Sequence, residues 1–319
     1  MRPIVVISRC IDFDSCRYNG QVIRTSLREE LEPFVELRPI CPELEIGLGV
    51  PRDPVRLIRH ADGSRMVQPS TGRDLTQAMG SFATGFLDSV GEVDGFILKS
   101  RSPSCAVRNS KVFHSDAEDA GHDSGPGLFA AQVLARFPDT AIEDEGRLND
   151  ERLRRHFLTK LFTLASFRVA AAQGDRRALV EFHMANKLLL MAYDETQLRR
   201  LGPLVAAAPR RLPAELLSTY RAGLAAALAG PPRPGAVVNV LMHALGHLSD
   251  RLKPAERRHF LGMLDDYRAR RLPLSAPLGV LGSWAARFEI AYLETQTFLA
   301  PFPAALVPSE GSRKRSRAA

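Results

Sequence analysis

The first half of the chain alternates short apolar runs with segments in which apolar residues recur at helical intervals. Four runs have the length and composition of buried strands, and they cover residues 3–8 (PIVVIS), 33–40, 94–100 and 140–144. The segments with helical spacing are 21–32, 74–90 and 127–137. Strands that alternate with helices are typical of a parallel sheet, so this half is predicted to be a three-layer α/β domain.

The pattern changes near residue 148, because every periodic segment after that point has helical spacing. Asn149 and Asp150 are candidate caps for the first of these helices. Further helices are predicted at about 176–192, 194–206, 213–229, 235–251, 254–270 and 278–299. We therefore predict a Rossmann-like parallel-sheet α/β domain over residues 1–148, an all-α helical domain over 149–307 and a basic disordered tail over 308–319.

The overall composition is that of an ordinary globular protein. The chain has 319 residues, of which 45% are hydrophobic and 25% are charged, enough for a sizeable core and two domains. No stretch approaches the roughly 20 apolar residues of a membrane span, and the N-terminal apolar run is too short for a secretory signal. We expect a cytoplasmic protein whose thiols stay reduced.

Charge is divided unequally between the two halves. Residues 1–150 contain 17 Lys and Arg against 23 Asp and Glu, whereas residues 151–319 contain 26 against 13, a balance of +13. Arginine pairs recur in the second half, at 154–155, 176–177, 199–200, 210–211, 257–258 and 270–271. Each pair alone fits a solvated helix face, but arginine suits phosphate and the summed charge predicts a polyanionic partner.

The four cysteines follow three of the predicted strands. Cys10 and Cys16 come after the first strand, Cys41 after the second and Cys105 after the third. Because ligands of open parallel sheets bind at the carboxyl ends of the strands, the four thiols are predicted to meet in one site. The residues alone leave a metal, a disulfide, a nucleophile and simple packing open. Both a closed zinc site and an iron–sulfur cluster use such thiolates.

Two further side-chain pairs lie at helical spacing in the second half. His183 and Lys187 are four residues apart and are expected to share a helix face, where they either contact RNA or are buried between helices. His243 and His247 also share a predicted face. No third ligand accompanies them, so no metal site is predicted there.

Six separated motifs resemble known families. The segments CIDFDSCRYNG (10–20), CPELEIGLGVPR (41–52) and LKSRSPSC (98–105) resemble the TudS family of thiouracil desulfurases, over roughly residues 3–150. The second half resembles the YbgA-like helical domain in the segments 182–205, 239–243 (NVLMH) and 267–281. The combination resembles the RudS proteins, which remove sulfur from 4-thiouridine in tRNA.

The resemblance implies a [4Fe–4S] cluster that only three cysteines hold. Matched motif to motif, these ligands are Cys10, Cys16 and Cys105, and Cys41 is the cysteine that does not bind the cluster. Such a cluster keeps one iron open, as a catalytic zinc site keeps one position open. A thiocarbonyl sulfur binds there, which polarises the C–S bond.

The resemblance also implies two catalytic side chains. Glu43 is the general base for water or a proton shuttle, with its neighbour Glu45 as the alternative. Ser102 contacts the substrate or assists proton transfer, and Ser104 is the weaker candidate. The residues alone instead favour Glu43 as a carboxylate hydrogen-bonded to the adjacent loop, and they fit Ser102 to an ordinary turn.

The chain departs from the family pattern at two positions. Ala106 stands where the family usually has glycine, and Asn19 stands where it commonly has aspartate. Neither position is a predicted ligand, so the expected reaction class is unchanged.

The expected function is a hydrolytic tRNA 4-thiouridine desulfidase that gives uridine and sulfide without net redox change. One alternative is a desulfurase of free thiouracil-type bases. The other is a non-catalytic RNA-binding protein whose metal site is structural or senses oxidants. The last predicts four thiolate ligands, Cys41 among them.

Overall fold

The computed structural model describes residues 1–61, 63–117 and 119–307, and the predicted tail 308–319 lies outside the described residues. The chain forms two compact units, whose described parts are residues 1–157 with 305–307 and residues 158–304. The division falls inside one long helix. The predicted domain boundary after residue 148 lies one turn before that helix, and it stays a prediction.

The main sheet of the first unit has four strands, all parallel, in the order β2-β1-β6-β9. These strands are β1 (Ile4–Ser8), β2 (Glu36–Ile40), β6 (Gly95–Leu98) and β9 (Ala141–Asp144). All four were predicted from their apolar runs. The α/β class of the first half is therefore confirmed.

The helices of the first unit are α1 (Leu27–Leu31), α2 (Pro42–Glu45), α3 (Thr76–Ser89) and α4 (Leu128–Arg136). The prediction of a helix over 21–32 is wrong in its first half. Ile23 forms a bridge with Ile11, and the Asp12 carboxylate accepts hydrogen bonds from the N–H and the hydroxyl of Thr25 at 2.5 and 2.6 Å. These contacts hold residues 21–26 against the first cysteine loop, so the helix begins only at Leu27.

A second sheet of five strands was not predicted. It has the order β5-β4-β3-β7-β8, and only β3 and β7 pair in parallel. Its strands are β3 (Arg56–His60), β4 (Gly63–Gln68), β5 (Arg73–Asp74), β7 (Ser110–Phe113) and β8 (His122–Gly125). One face of this sheet packs into the core of the unit through Leu57, Met66 and Val112.

Helices pack on the core of the first unit through regularly spaced residues. In α3, Met79, Ala83 and Leu87 recur every four residues and are buried, as one face of a helix requires. Phe96 of β6 and Phe129 of α4 are both fully buried in the same cluster.

The second unit is all helical, which confirms the predicted class. Its helices are the end of α5 (Glu151–Gln173), α6 (Arg176–Ala185), α7 (Lys187–Tyr193), α8 (Glu195–Ala206), α9 (Ala214–Ala227), α10 (Pro234–Gly246), α11 (Pro254–Arg268), α12 (Ser275–Arg287) and α13 (Ala291–Glu294). Asp150 caps α5, because its carboxylate accepts the N–H of Leu153 at 2.9 Å. Among the described residues, none of the helices is both long and apolar enough to cross a membrane.

Two predicted helices of this unit are interrupted. The prediction of one helix over 176–192 is wrong, because Asn186 ends α6 and its side chain donates to the carbonyl of Phe182 at 2.8 Å. The prediction of one helix over 278–299 is also wrong. Glu289 has a φ of 53°, a left-handed conformation that ends α12 before α13 begins.

Candidate active site

A cavity of about 910 Å³ lies at the carboxyl ends of the parallel strands, and all four cysteines line it. Cys10 follows β1, Cys41 follows β2 and Cys105 follows β6, while Cys16 lies later in the loop after β1. The structure therefore brings the four thiols together at the predicted sheet edge.

The thiols are free and in contact with one another. Cys16 hydrogen-bonds with the thiols of both Cys10 and Cys41. Cys105 lines the same cavity, and the hydroxyls of Ser8 and Ser102 hydrogen-bond with its sulfur. Cys41 therefore belongs to the same group as the three predicted ligands, and its exclusion from the ligand set stays a prediction.

The surroundings of the thiols favour the protonated form. The contact with Cys10, followed by burial, raises the pKa of Cys16 to about 11, although Cys41 and Arg52 act in the opposite direction. Burial raises the pKa of Cys105 above the usual thiol range, against the effect of the two hydroxyls. Thiolates at neutral pH therefore require a cation that binds them and displaces their protons.

This donor set fits an iron–sulfur cluster. Four thiols in one cavity are the soft ligands that such clusters use. Among the described residues, no three His, Cys, Asp or Glu side chains are arranged to hold one metal ion. A four-iron cluster does not need three ligands around one ion, because each thiolate binds a different iron.

Glu43 lies in the cavity and is held from two sides. It is buried in α2, where the Arg52 guanidinium donates to Oε2 from two nitrogens, at 2.9 and 2.6 Å. The Ser104 hydroxyl donates to Oε1 at 2.7 Å. A carboxylate oxygen has two lone pairs, so Oε1 can accept one more hydrogen bond. Glu45 is exposed and does not line the cavity.

Ser102 and Ser104 have different positions in the loop after β6. Ser102 lines the cavity, and its Oγ accepts the N–H groups of Ser104 and Cys105 at 3.2 and 3.1 Å. Ser104 is fully buried beneath Glu43. The catalytic role of Ser102 stays a prediction, while Ser104 positions the carboxylate.

Gly127 fixes this loop against the start of α4. A Cβ at this position would lie 2.5 Å from the carbonyl carbon of Ser104, closer than any side chain tolerates. The Gly127 N–H donates to the carbonyl of Ala106 at 2.8 Å, and the Leu128 N–H donates to that of Pro103 at 3.0 Å. Only glycine permits this close approach, which fixes the backbone around Cys105.

Sequence reasoning missed several residues that organise the site. Arg52 binds Glu43 and also donates to the backbone carbonyl of Cys16 at 3.1 Å, so it connects the carboxylate with the cysteine loop. Lys99 forms an ion pair with Glu145, whose carboxylate also accepts the N–H of Ser100 at 2.7 Å. Arg52 is the last residue of the CPELEIGLGVPR motif. Its place in the same motif as Glu43 was the sequence feature that could have identified it.

Asp144 ends β9 and lines the same cavity. Its Oδ1 accepts the N–H of Arg147 at 2.9 Å, but Oδ2 is buried without a hydrogen-bond partner among the described residues. Burial raises the pKa of this carboxyl, and the neighbouring Glu143 and Glu145 add to the effect. The site thus contains one carboxyl that the fold holds more readily in its protonated form.

We expect Asp144→Asn to become more stable relative to the wild type as pH rises. A raised pKa means that the folded protein binds this proton more tightly than the unfolded chain does. The resulting stabilisation is complete below the unfolded-state pKa near 3.8 and is lost as pH rises through the folded-state pKa. Asparagine does not titrate, so it does not lose this contribution.

The measurement is the difference in melting temperature between the two proteins, without added iron, in half-unit steps from pH 4.5 to 7.5. A tenfold difference in proton affinity between the folded and unfolded states corresponds to about 1.4 kcal/mol of stability. Titrating groups that do not interact with Asp144 cancel in the difference. A difference that stays constant with pH contradicts the prediction.

In the second unit, the two candidate pairs have different surroundings. His183 is buried, and its Nδ1 lies 2.9 Å from the Tyr220 hydroxyl, so the structure agrees with a polar group packed between helices. Burial, with a contribution from Lys187, lowers the pKa of His183. The rings of His243 and His247 lie 5.5 Å apart, and His247 packs on Tyr292.

The chain matches two protein families in succession. Residues 5–145 match the profile of the 2-thiouracil desulfurase family, and residues 187–303 match that of a family described as protein of unknown function DUF1722. The chain is 28% identical over 158 residues to the uncharacterized protein YbgA of Escherichia coli (strain K12), which covers 49% of this chain and 94% of that protein.

Two further proteins are similar to parts of the chain. The uncharacterized protein YbbK of Bacillus subtilis (strain 168) is 27% identical over 154 residues, or 46% of this chain and 99% of that protein. The solved structure of the [4Fe–4S]-dependent thiouracil desulfidase TudS aligns with a TM-score of 0.37 and 23% identity, over 47% of this chain and 95% of that chain. The two family profiles and the similarity to YbgA confirm the fused architecture: the chain carries a 2-thiouracil desulfurase domain followed by a YbgA-like DUF1722 domain.

Proposed function

We propose that the protein is a [4Fe–4S]-dependent desulfidase that removes sulfur from 4-thiouridine in tRNA and gives uridine and sulfide. The observation that carries this proposal is the cavity in which four thiols meet the Glu43 carboxylate. That cavity lies within the region matched by the 2-thiouracil desulfurase family, whose name supports the reaction class.

In the proposed reaction, water replaces sulfur at carbon 4 of the pyrimidine. Cys10, Cys16 and Cys105 would hold the cluster, which would supply a Lewis acid for the C–S bond. Glu43 accepts a proton from the attacking water at Oε1, while Arg52 keeps the carboxylate in place. The thiocarbonyl becomes a carbonyl and sulfur leaves as sulfide, so no atom changes its oxidation state and no electron donor is needed.

The charge of the second half supports tRNA as the substrate. Residues 151–319 have a balance of +13, and the arginine pairs of the second unit at 176–177, 199–200, 210–211, 257–258 and 270–271 are exposed. Several of these side chains also form ion pairs on their own helices, as Arg199 does with Glu195. Arginines of this kind supply salt-sensitive affinity for an RNA backbone without reading sequence. A tRNA substrate also agrees with the cytoplasmic location expected from the sequence.

Desulfuration of a free thiobase is the second candidate. The matched family is named for 2-thiouracil, a free base, and this name is the observation that favours it. The two candidates differ in the preferred substrate, so the same experiment separates them.

The test measures turnover of 4-thiouridine in tRNA by the protein after its cluster has been reconstituted. The full chain is purified without oxygen, reconstituted with iron and sulfide, and mixed with tRNA that contains 4-thiouridine. We expect loss of the thionucleoside absorbance with one sulfide released per thionucleoside, and no turnover by Cys10→Ala. An intact thionucleoside in the presence of a loaded cluster contradicts the proposal. A higher kcat/KM for free 2-thiouracil than for the tRNA favours the second candidate.

A further inference from the structure

Two arginine pairs that are distant in the sequence, 176–177 and 210–211, meet in the second unit. An antiparallel bridge joins the residue before α6 to the loop between α8 and α9. On one side of this bridge the N–H of Arg176 donates to the carbonyl of Arg210 at 3.1 Å, and a second backbone hydrogen bond of 2.9 Å lies on the other side. The bridge therefore brings the two pairs into one place.

The bridge sets two of these arginines against each other. Its register places Arg176 directly opposite Arg210, and residues in this relation point to the same side. Both side chains are exposed, and both line a groove of about 710 Å³. Like charges directly opposite each other destabilise a strand pair. The fold thus holds two guanidinium groups side by side at a cost that a bound anion would remove.

The two carboxylates that line the groove have other partners. Glu181 forms an ion pair with Arg177 at 2.7 Å. The Asp175 carboxylate caps α6, because it accepts the N–H of Ala178 at 2.8 Å, and it also acts electrostatically on Arg177. In the described part of the chain, no ion pair joins either carboxylate to the opposed arginines. The acidic side chains of the groove therefore leave that pair uncompensated.

The opposed arginines keep donors available for an anion. The Arg176 guanidinium donates to the backbone carbonyl of Ala206 at 3.0 Å, a neutral acceptor that orients the group without cancelling its charge. Among the described residues, the Arg210 side chain forms neither a hydrogen bond nor an ion pair. A guanidinium has five N–H donors, so both groups can still bind a negatively charged ligand.

A phosphate is the anion that suits this geometry, because a guanidinium fork binds two phosphate oxygens at once. Val180 is the apolar residue among those that line the groove, so an apolar ligand has little to contact there. We propose that Arg176 and Arg210 bind the phosphate backbone of tRNA at this groove. The inference rests on the proposed tRNA substrate, and it names the docking groove of the helical unit.

The other arginine pairs in the described part of the second unit differ from this arrangement. Arg199 and Arg271 form ion pairs with acidic residues close to them in the sequence. Arg257 and Arg258 are successive residues of α11, so their side chains point about 100° apart around the helix. They are exposed and lie outside the groove, which makes them a matched control.

The test measures binding of the reconstituted full chain to a tRNA transcript without 4-thiouridine. It compares the wild type with Arg176→Gln/Arg210→Gln and with the control Arg257→Gln/Arg258→Gln, which removes the same charge. Arg176→Lys/Arg210→Lys keeps the charges of the groove but loses the planar forks. Affinity is measured by fluorescence anisotropy over a series of salt concentrations, and the melting temperature of each protein is recorded.

We expect the dissociation constant of the glutamine variant of the groove to rise about tenfold. Its plot of log affinity against log salt should become shallower by roughly 1.5, because each phosphate contact adds roughly 0.7–0.9 to the slope. The control should keep the slope of the wild type. The lysine variant should recover the slope and part of the affinity. Turnover of thiolated tRNA by the glutamine variant should fall about tenfold in kcat/KM, while turnover of free 4-thiouridine stays unchanged.

Equal losses in the glutamine variant and in the control overturn the inference, because total charge alone then determines the affinity. A lysine variant that does not recover the slope also overturns it. Polyglutamate tests an acidic protein as the occupant, and tighter binding of it than of tRNA at equal charge overturns the assignment to RNA. The expected binding without any turnover overturns the proposed function alone. Turnover with an unchanged tRNA affinity in the glutamine variant overturns the inference alone.

Discussion

Glu43→Gln is expected to lower kcat for sulfur removal by about 10²–10⁴-fold, the usual contribution of a general base, while the cluster content stays unchanged. Glutamine keeps the size of the side chain and can still accept the hydrogen bond of Ser104, but it accepts no proton from water. Glu43 is not among the predicted cysteine ligands of the cluster, so iron binding should not depend on it.

The matched control for this variant is Glu45→Gln. Glu45 belongs to the same short helix, but it is exposed and does not line the cavity. We expect its kcat to stay close to that of the wild type. A larger loss in Glu45→Gln than in Glu43→Gln contradicts the assignment.

Stability needs its own control, because Glu43 and Arg52 form a buried ion pair. Removal of one partner of such a pair costs about 3–5 kcal/mol, whereas removal of both leaves no unpaired charge. Glu43→Gln/Arg52→Gln should therefore melt closer to the wild type than Glu43→Gln does, yet remain inactive. Recovery of activity together with stability in the double variant would show that Glu43 acts only through the fold. Iron content is measured in the same samples, since Arg52 also holds the Cys16 carbonyl.

The parallel sheet could be predicted largely because its two central strands, β1 and β6, are buried and therefore apolar. All four residues of β6 are buried, and β1 has four buried residues of five. Such runs are recognisable without knowledge of their neighbours. The meeting of the cysteines followed from the same reasoning, because the loops after parallel strands gather at one edge.

The second sheet could not be predicted in this way. The strand His122–Gly125 has the sequence HDSG and no buried residue, and β4 reads GSRMVQ. Neither has the alternation or the composition of a strand, so each owes its conformation to pairing with a neighbour.

The contacts of the catalytic carboxylate were also beyond the sequence. Ser104 lies 61 residues from Glu43, and neither residue type indicates the other. Arg52 is nine residues away in a loop with no periodic pattern. The helix breaks at Asn186 and Glu289 depend likewise on local backbone bonds that a helical periodicity does not reveal.

The second large effect is expected from the cysteines: Cys105→Ala should lose the cluster and all activity, whereas Cys41→Ala should keep the cluster. A cluster bound by three thiolates has one iron without a protein ligand, and the proposed reaction needs that iron for the sulfur of the substrate. If Cys41 were a fourth ligand, this position would be occupied. The proposal therefore requires that one thiol in the group stays free of iron, although Cys41 is buried in the site as Cys105 is.

The measurement is the iron and sulfide content of each variant after anaerobic reconstitution, with the visible absorbance of the cluster. Cys105 packs in the core, so circular dichroism and melting are recorded for both variants to separate loss of the cluster from unfolding. Loss of iron from Cys41→Ala and its retention in Cys105→Ala would exchange the roles of the two residues. Loss from both variants, with the fold intact, would instead make all four thiols ligands. In that case no iron remains open, and the metal site becomes the structural or redox-sensing kind that the residues alone also allow.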